Sequence, residues 1–285
     1  MTGSDVVGER KVPGRPPDLL EAILGSTRNA VEIARTIRPL AVLEKLSRER
    51  EPQGKLFGEV LSSHKSLSVI AECKRRSPSR GVLREDYRPA SIASAYEAAG
   101  AAAISVLTEP AFFDGALDHL TLVRHTVAVP VLRKDFILCD YQLWESRAAG
   151  ADAVLLIVAA LDDVELSGLL KLAKDLRLAV IVETHNEEEL QRAILADAEI
   201  IGVNNRNLRT LEVDTEVSYS LIDLIPKDTV AIAESGIKVS QDLEELSARG
   251  YRGCLVGESL ITQDDPGAAL RDLVSRPDTQ SLGER

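Results

Sequence analysis

Between about residues 68 and 257 the chain repeats one pattern: a short apolar run, a polar residue at its end, then a stretch with apolar residues at helical spacing. The runs predict strands at roughly 68–73, 101–107, 127–133, 151–158, 178–183, 199–204, 229–233 and 252–257. Ala153-Val154-Leu155-Leu156-Ile157-Val158 is apolar on both faces, as a buried parallel strand is. The segments between, such as Leu166 to Leu176 and Glu187 to Leu195, carry one apolar face each. Gly100, Gly150 and Gly250 stand where C-terminal helix caps belong. Such an alternation predicts an α/β fold, a closed (β/α)8 TIM barrel, with its active site at the C-terminal ends of the strands. An open doubly wound sheet shares the alternation, but the dinucleotide turn Gly-x-Gly-x-x-Gly is missing.

Ahead of the barrel, Leu19, Leu20, Ile23, Leu24, Ile33, Ile37, Leu40 and Leu43 recur at helical spacing, predicting one or two helices. Gly54 and Ser62-Ser63 read as a second break before the first strand. The expected organisation is a flexible tail over 1–16, a helical extension over 17–66, the barrel over 67–275 and a C-terminal tail over 276–285. A chain of 285 residues accommodates this, since a barrel takes about 250 residues.

Composition narrows the function classes. Hydrophobic residues make up 45% and aromatics only 4%, so the core is expected to be Leu, Ile, Val and Ala. A formal charge of −11 repels phosphate at long range and argues against nucleic acid or an anionic membrane as partner. A local basic pocket around Lys74, Arg75 and Arg76 remains compatible with it. The three widely spaced cysteines suit a reducing cytosol, and neither they nor the four histidines show metal-ligand spacing, so no metal is expected. No apolar run reaches the roughly 20 residues of a membrane span, and the N-terminus lacks the apolar core of a signal peptide. The expectation is a cytoplasmic protein, a monomer or weak homodimer.

The strand ends carry the candidate chemistry. Glu72 and Lys74 share one face of the first strand, with Cys73 on the other. Lys134 follows Leu132 in register at the end of the third, and Glu183 closes the fifth. Each alone reads equally as a charged strand end in solvent. Together, two lysines among carboxylates separate acid and base roles through coupling and desolvation. His185 reads as a loop residue, and Glu187-Glu188-Glu189 as the first turn of a helix. Asn204 and Arg206 end the sixth strand, as a carboxylate clamp or as a turn with a surface arginine. Glu234-Ser235-Gly236 and Gly257-Glu258 end the last two strands; paired glycines there let backbone N–H groups reach a phosphate. A phosphorylated small molecule is therefore the expected partner.

These motifs together resemble the indole-3-glycerol phosphate synthase family. The likeness runs from about residue 17 to 265 and is carried by Ile70-Ala71-Glu72-Cys73-Lys74-Arg75-Arg76-Ser77-Pro78-Ser79, Leu107-Thr108-Glu109, Phe113-Asp114-Gly115, Leu132-Arg133-Lys134-Asp135-Phe136-Ile137, Val182-Glu183, Ile201-Gly202-Val203-Asn204-Asn205-Arg206-Asn207-Leu208, Ala233-Glu234-Ser235-Gly236-Ile237 and Leu255-Val256-Gly257-Glu258-Ser259-Leu260. The resemblance implies conversion of 1-(2-carboxyphenylamino)-1-deoxyribulose 5-phosphate to indole-3-glycerol phosphate, carbon dioxide and water, without a cofactor. It implies Lys134 as general acid for ring closure, Glu183 as acid/base in dehydration, and Lys74, held by Glu72, at the substrate carboxylate and in proton transfer, the division of roles between the two lysines staying open. It places Arg206 and Asn204 at the carboxylate and hydroxyls, and gives Glu234 the ordering of the lysines. Ser77 joins the binding set. Ser235, Gly236, Gly257 and the backbone of Glu258 would hold phosphate, with the Glu258 carboxylate expected to point away. Phe113 and Phe136 would flank the aromatic ring, Phe136 reading equally as core. Other tryptophan-pathway enzymes are the implied protein partners. The competing readings are phosphoribosylanthranilate isomerase, which would use a Cys and Asp pair, a Schiff-base aldolase through Lys134, and a phosphate-binding barrel without catalysis.

Overall fold

The computed structural model describes residues 19–62 and 67–275. The tails expected over 1–16 and 276–285, and Ser63 of the expected second break, lie outside the described residues.

Eight parallel strands close into a barrel: β1 (Ser68–Cys73), β2 (Ala103–Leu107), β3 (Val131–Lys134), β4 (Ala153–Ile157), β5 (Ala179–Thr184), β6 (Ile200–Asn204), β7 (Val230–Glu234) and β8 (Gly253–Val256). Consecutive strands lie side by side, and β1 pairs with β8 from Ser68↔Gly253 to Ala71↔Val256 to complete the ring. Alternate side chains sort into two cores. Ile70, Leu132, Leu155, Ile181, Ile232 and Leu255 fill the interior, while Val69, Cys73, Val106, Val154, Val182 and Val203 pack outward under the helices. Cys73 is therefore turned away from the mouth that Glu72 lines.

Every expected strand forms, the first over its expected range and the others with shifted ends. The third starts at Val131, not at 127. Pro130 has no N–H for a ladder, and the Glu97 carboxylate accepts the N–H groups of Ala128 and Val129 instead (2.7 and 3.0 Å). The fourth ends at Ile157, with Val158 beginning a single 3₁₀ turn.

Three helices precede the barrel, where one or two were expected: α1 (Leu19–Ile37), α2 (Leu40–Leu46) and α3 (Gly54–Ser62). Gly54 opens α3 and does not break the chain. A Cβ there would overlap the Arg177 carbonyl oxygen, so glycine lets the helix touch the backbone entering β5. From α3, Phe57 and Leu61 join the interior core at the N-terminal ends of the strands, and from α1, Leu20 and Ile23 join it at the opposite end. The extension thus covers the barrel at both ends. Buried Asp152, just before β4, locks the lower cover in place. It accepts Arg50 Nη2 (2.6 Å), Gln53 N–H (2.7 Å), Arg124 Nη1 (2.7 Å) and Val131 N–H (2.9 Å).

The remaining helices are α4 (Pro89–Ala98), α5 (Pro110–Phe113), α6 (Leu117–Thr126), α7 (Asp140–Ala149), α8 (Asp163–Asp175), α9 (Glu187–Leu195), α10 (Glu216–Leu221), α11 (Ser240–Arg249), α12 (Glu258–Ile261) and α13 (Pro266–Val274). Gly150 and Gly250 cap α7 and α11 with φ of 95° and 111°. After β1, a two-stranded ribbon of Arg76–Ser77 and Gly81–Val82 rises at the mouth.

Candidate active site

A cavity of about 780 Å³ opens at the C-terminal end of the barrel. All of Glu72, Lys74, Ser77, Phe113, Lys134, Phe136, Glu183, Asn204, Arg206, Glu234, Ser235, Gly236, Gly257 and Glu258 line it. The barrel itself makes this gathering. Each strand's last inward position falls at one level, so residues far apart in sequence meet there.

At the floor, the Lys134 ammonium lies 2.9 Å from Glu183 Oε2 and 2.9 Å from Glu234 Oε2. A second lysine, Lys74, pairs with Glu72 Oε1 at 2.5 Å. The three carboxylates are almost wholly buried, at 1–2% exposure, while both lysine side chains keep 15% open toward the cavity. The neighbouring strand β3 is pinned from behind. Arg133, outward and buried, reaches Asp135 (3.0 Å) and Glu145 (2.8 Å), which fixes the register that turns Lys134 inward.

Burial and charge push the carboxylates apart. Desolvation favours the neutral acid at Glu183, but Lys134 and His185 outweigh it and hold the group well below the usual carboxylate range. At Glu234 desolvation dominates; Lys134 offsets part of it, the Glu183 charge adds to it, and the group is raised to about 7. Desolvation opposes the Lys134 charge, yet Glu183, Glu234 and Glu72 together raise its pKa above the ordinary lysine value. Lys134 is thus an ammonium, open only toward the cavity, facing one ionised carboxylate and one that titrates near neutrality. An ammonium held this firmly is poorly suited to imine formation, which disfavours the aldolase reading. Cys73 is fully buried on the outer face and its thiol is pushed up by burial and by Glu72, so it is not a mouth acid.

His185 lies in the loop, as expected, yet its ring is held between two carboxylates. Its side chain is 11% exposed, with Nε2 3.2 Å from Glu183 Oε1 and Nδ1 2.9 Å from Glu189 Oε2. Glu189 does sit in the first turn of α9, but its carboxylate turns back to the ring. The i, i+4 spacing of His185 and Glu189 was the available signal, hidden inside a run read as helix polarity.

Two glycines make room for the carboxylates. A Cβ on Gly202 would overlap Glu234 Oε1, and one on Gly257 would overlap Glu72 Oε1. Gly202 carried no expected role, and Gly257 was read only as a phosphate contact. Glu234 Oε1 is buried without a hydrogen-bond partner among the described residues. Past it, Ser235 and Gly236 take left-handed backbone, with φ of 67° and 86°. Non-glycine residues in this region are strained and concentrate at functional sites. The turn is braced by Ser235 Oγ donating to Asn204 Oδ1 (2.8 Å) and by Asn205 Nδ2 donating to the Ser235 carbonyl (3.0 Å). Asn205, given no role from sequence, is the buried brace.

At the rim, Glu258 meets partners that its position in the sequence does not announce. Its carboxylate turns across the mouth: Oε1 is 2.9 Å from Arg80 Nε and Oε2 is 3.5 Å from Arg206 Nη2. The two guanidinium groups supply the attraction that the isolated reading of Glu258 lacked. Arg206 also donates to Ser79 Oγ (3.3 Å) and the Leu211 carbonyl (3.0 Å), tying the ribbon to the loop after β6. Opposite lies an apolar wall. The Phe113 and Phe136 rings lie 6.3 Å apart at 36°, beside Leu20 and Ile23 of α1 and Ile157 of β4. The helical spacing of the α1 residues gives no hint of the ligand side.

Known proteins agree with this reading. A sequence model described as "Indole-3-glycerol phosphate synthase" matches residues 20–273. A protein of that name from Lachnoclostridium phytofermentans is 43% identical over 268 residues, 90% of this chain and 99% of its own. One from Laribacter hongkongensis is 44% identical over 259 residues, 90% and 98% of the two chains. One from Sulfurimonas denitrificans is 51% identical over 205 residues, 72% and 78%. Among solved structures, 3-hexulose-6-phosphate synthase from Salmonella typhimurium shares the fold, with a TM-score of 0.59 at 12% identity over 73% of this chain and 96% of that one. The chain belongs to the indole-3-glycerol phosphate synthase family.

Proposed function

We propose that the mouth performs ring closure, decarboxylation and dehydration of 1-(2-carboxyphenylamino)-1-deoxyribulose 5-phosphate, giving indole-3-glycerol phosphate in tryptophan biosynthesis, as a carboxy-lyase. The observation that carries the assignment of roles is the Lys134 ammonium set between Glu183 and Glu234.

The aromatic carbon bearing the carboxylate attacks the ketone carbon, and the new bond pushes the carbonyl electrons onto oxygen. Lys134 gives that alkoxide its proton; its charge also stabilises the oxygen as it develops. Carbon dioxide then leaves, and the electrons of the broken bond restore the aromatic ring. The hydroxyl departs as water after taking a second proton, which Lys74 supplies from its pair with Glu72. Glu183, ionised, removes the remaining proton from carbon. Two protons enter and one returns, so each turnover of the carboxylate substrate consumes one proton. Every step is a heterolysis or a proton transfer.

Binding follows the cavity's two characters. The aromatic ring lies against Phe113, Phe136, Leu20 and Ile23, with the carboxylate toward Lys74 and Arg206. Asn204 orients the hydroxyls, Ser77 lines the ribbon side, and Glu234 orders Lys134. The phosphate sits at Ser235, Gly236 and Gly257; left-handed backbone at Ser235 and Gly236 exposes N–H groups, and Lys238 lines the same end. The Glu258 carboxylate stays on its arginines, contributing to phosphate only through backbone. Three free cysteines fit a cytoplasmic setting, and no helix among the described residues is long and apolar enough to cross a membrane.

The test is turnover of this substrate, followed by indole fluorescence, with the parent chain and Lys134→Ala. Indole appearing with the parent and not with the variant supports the assignment. Binding without turnover by the parent would instead favour a barrel without catalysis.

A further inference from the structure

Lys134 lies equally near Glu183 and Glu234, at 2.9 Å from each, so Lys134 itself does not decide which carboxylate stays ionised. The asymmetry comes from outside the barrel. His185, in the loop from β5 to α9, sets Nε2 3.2 Å from Glu183 Oε1, the oxygen that Lys134 leaves free. The contact is oblique, a charge pair more than a hydrogen bond. On the ring's other side, Nδ1 meets Glu189 Oε2 at 2.9 Å. Glu189 is itself immobilised. Its Oε2 accepts the His185 backbone N–H (2.8 Å), its Oε1 accepts Asn186 Nδ2 (2.8 Å), and its own N–H is capped by Asn186 Oδ1 (2.9 Å).

We propose that His185, held by Glu189, is a positioning residue that keeps Glu183 ionised and thereby makes Glu183, not Glu234, the base of the dehydration step. The inference rests on the role given to Glu183 above. Both ring nitrogens face a carboxylate; a neutral imidazole has one N–H and would set a lone pair against one of them, while the imidazolium serves both. Consistently, the two carboxylates outweigh burial and raise His185 to about 10. The charged groups around the pair are Lys134, Glu234 and, through Lys134, Glu72 on the barrel side, and Glu189 on the helix side. When Lys134 releases its proton in ring closure, His185 is the cation left against Glu183. Among the described residues Glu234 has no such partner, and its Oε1 is unpaired. Residual negative charge therefore rests on Glu183, and any proton taken up by the pair goes to Glu234.

The test is the pH profile of kcat for the parent, Glu183→Gln, His185→Asn and Glu189→Gln, with ¹⁵N shifts of the His185 ring. Removing a cation at this distance moves a carboxylate pKa up by about one to two units. The acidic limb of His185→Asn is expected to move to higher pH by that amount, and that of Glu189→Gln by less in the same direction. The His185 ring is expected to stay imidazolium through pH 8 in the parent. A purely structural His185 would lower kcat at every pH and leave the limb in place. That result, or a neutral ring at pH 8, overturns the inference. Full activity in Glu183→Gln would overturn the role of Glu183 on which it rests, a failure visible separately from that of His185.

Discussion

Removing the Lys134 ammonium leaves Glu183 and Glu234 facing each other, both at 1% exposure. Lys134→Ala is therefore expected to lower kcat by about 10²- to 10⁴-fold, the usual worth of a positioned acid. Stability should respond to pH as well. In the parent, Glu183 is depressed and stabilises the fold above its unfolded pKa, losing that contribution as pH falls. In the variant the paired carboxylates resist ionisation, so the gap in Tm between parent and variant widens as pH rises toward neutrality. Thermal melts across pH read this directly. Gly202 makes a second test at this scale. Gly202→Ala forces a methyl against Glu234 Oε1 and Ile181, which costs about 1–3 kcal/mol and displaces the carboxylate that orders Lys134, so kcat falls too. Gly168→Ala, on an open face of α8 with nothing nearby, should be neutral or stabilising by up to about 1 kcal/mol. Glu72, Lys74 and Lys134 are visible in sequence because strand alternation fixes which residue faces in. His185 is not, because its importance lies in two contacts made after the chain leaves the strand.

At the scale of elements, the helical extension does two jobs that its sequence does not separate. α1 puts Ile23, 3% exposed, into the apolar wall of the cavity. α2 buries Leu43, 0% exposed, away from the cavity. Ile23→Ala and Leu43→Ala should each destabilise by about 2–5 kcal/mol, measured by denaturant unfolding. Only Ile23→Ala is expected to raise KM, because of the two only Ile23 lines the cavity proposed to hold the aromatic ring. Equal KM values would mean that α1 shields the barrel without binding substrate. Helical periodicity places both residues on an apolar helix face, but it is blind to what that face packs against. The missed helix α3 has the same cause: Gly54 looks like a break until the Arg177 carbonyl is seen beside it.

For the whole molecule, chemistry and stability occupy opposite ends of one barrel. The lower end is held by Asp152, with no side-chain exposure and contacts to Arg50 and Arg124. Asp152→Ala strands two guanidinium groups, and breaking a buried pair costs about 3–5 kcal/mol. The folded fraction should keep the parent kcat, since the mouth lies at the far end. The barrel was readable because eight buried parallel strands must appear as apolar runs, and a closed ring dictates that their polar ends meet. The arginine bridge through Glu258 was not readable, since it joins ribbon, β6 loop and β8 loop across long stretches of sequence. The division of labour at the mouth is tested most directly by rapid-quench single turnover, following carbon dioxide and indole product together. Lys134→Ala should release neither, because ring closure precedes decarboxylation. Glu183→Gln should release carbon dioxide in the first turnover while indole product lags far behind. Release of carbon dioxide at the parent rate by Lys134→Ala, or a block before it in Glu183→Gln, would contradict the assigned roles.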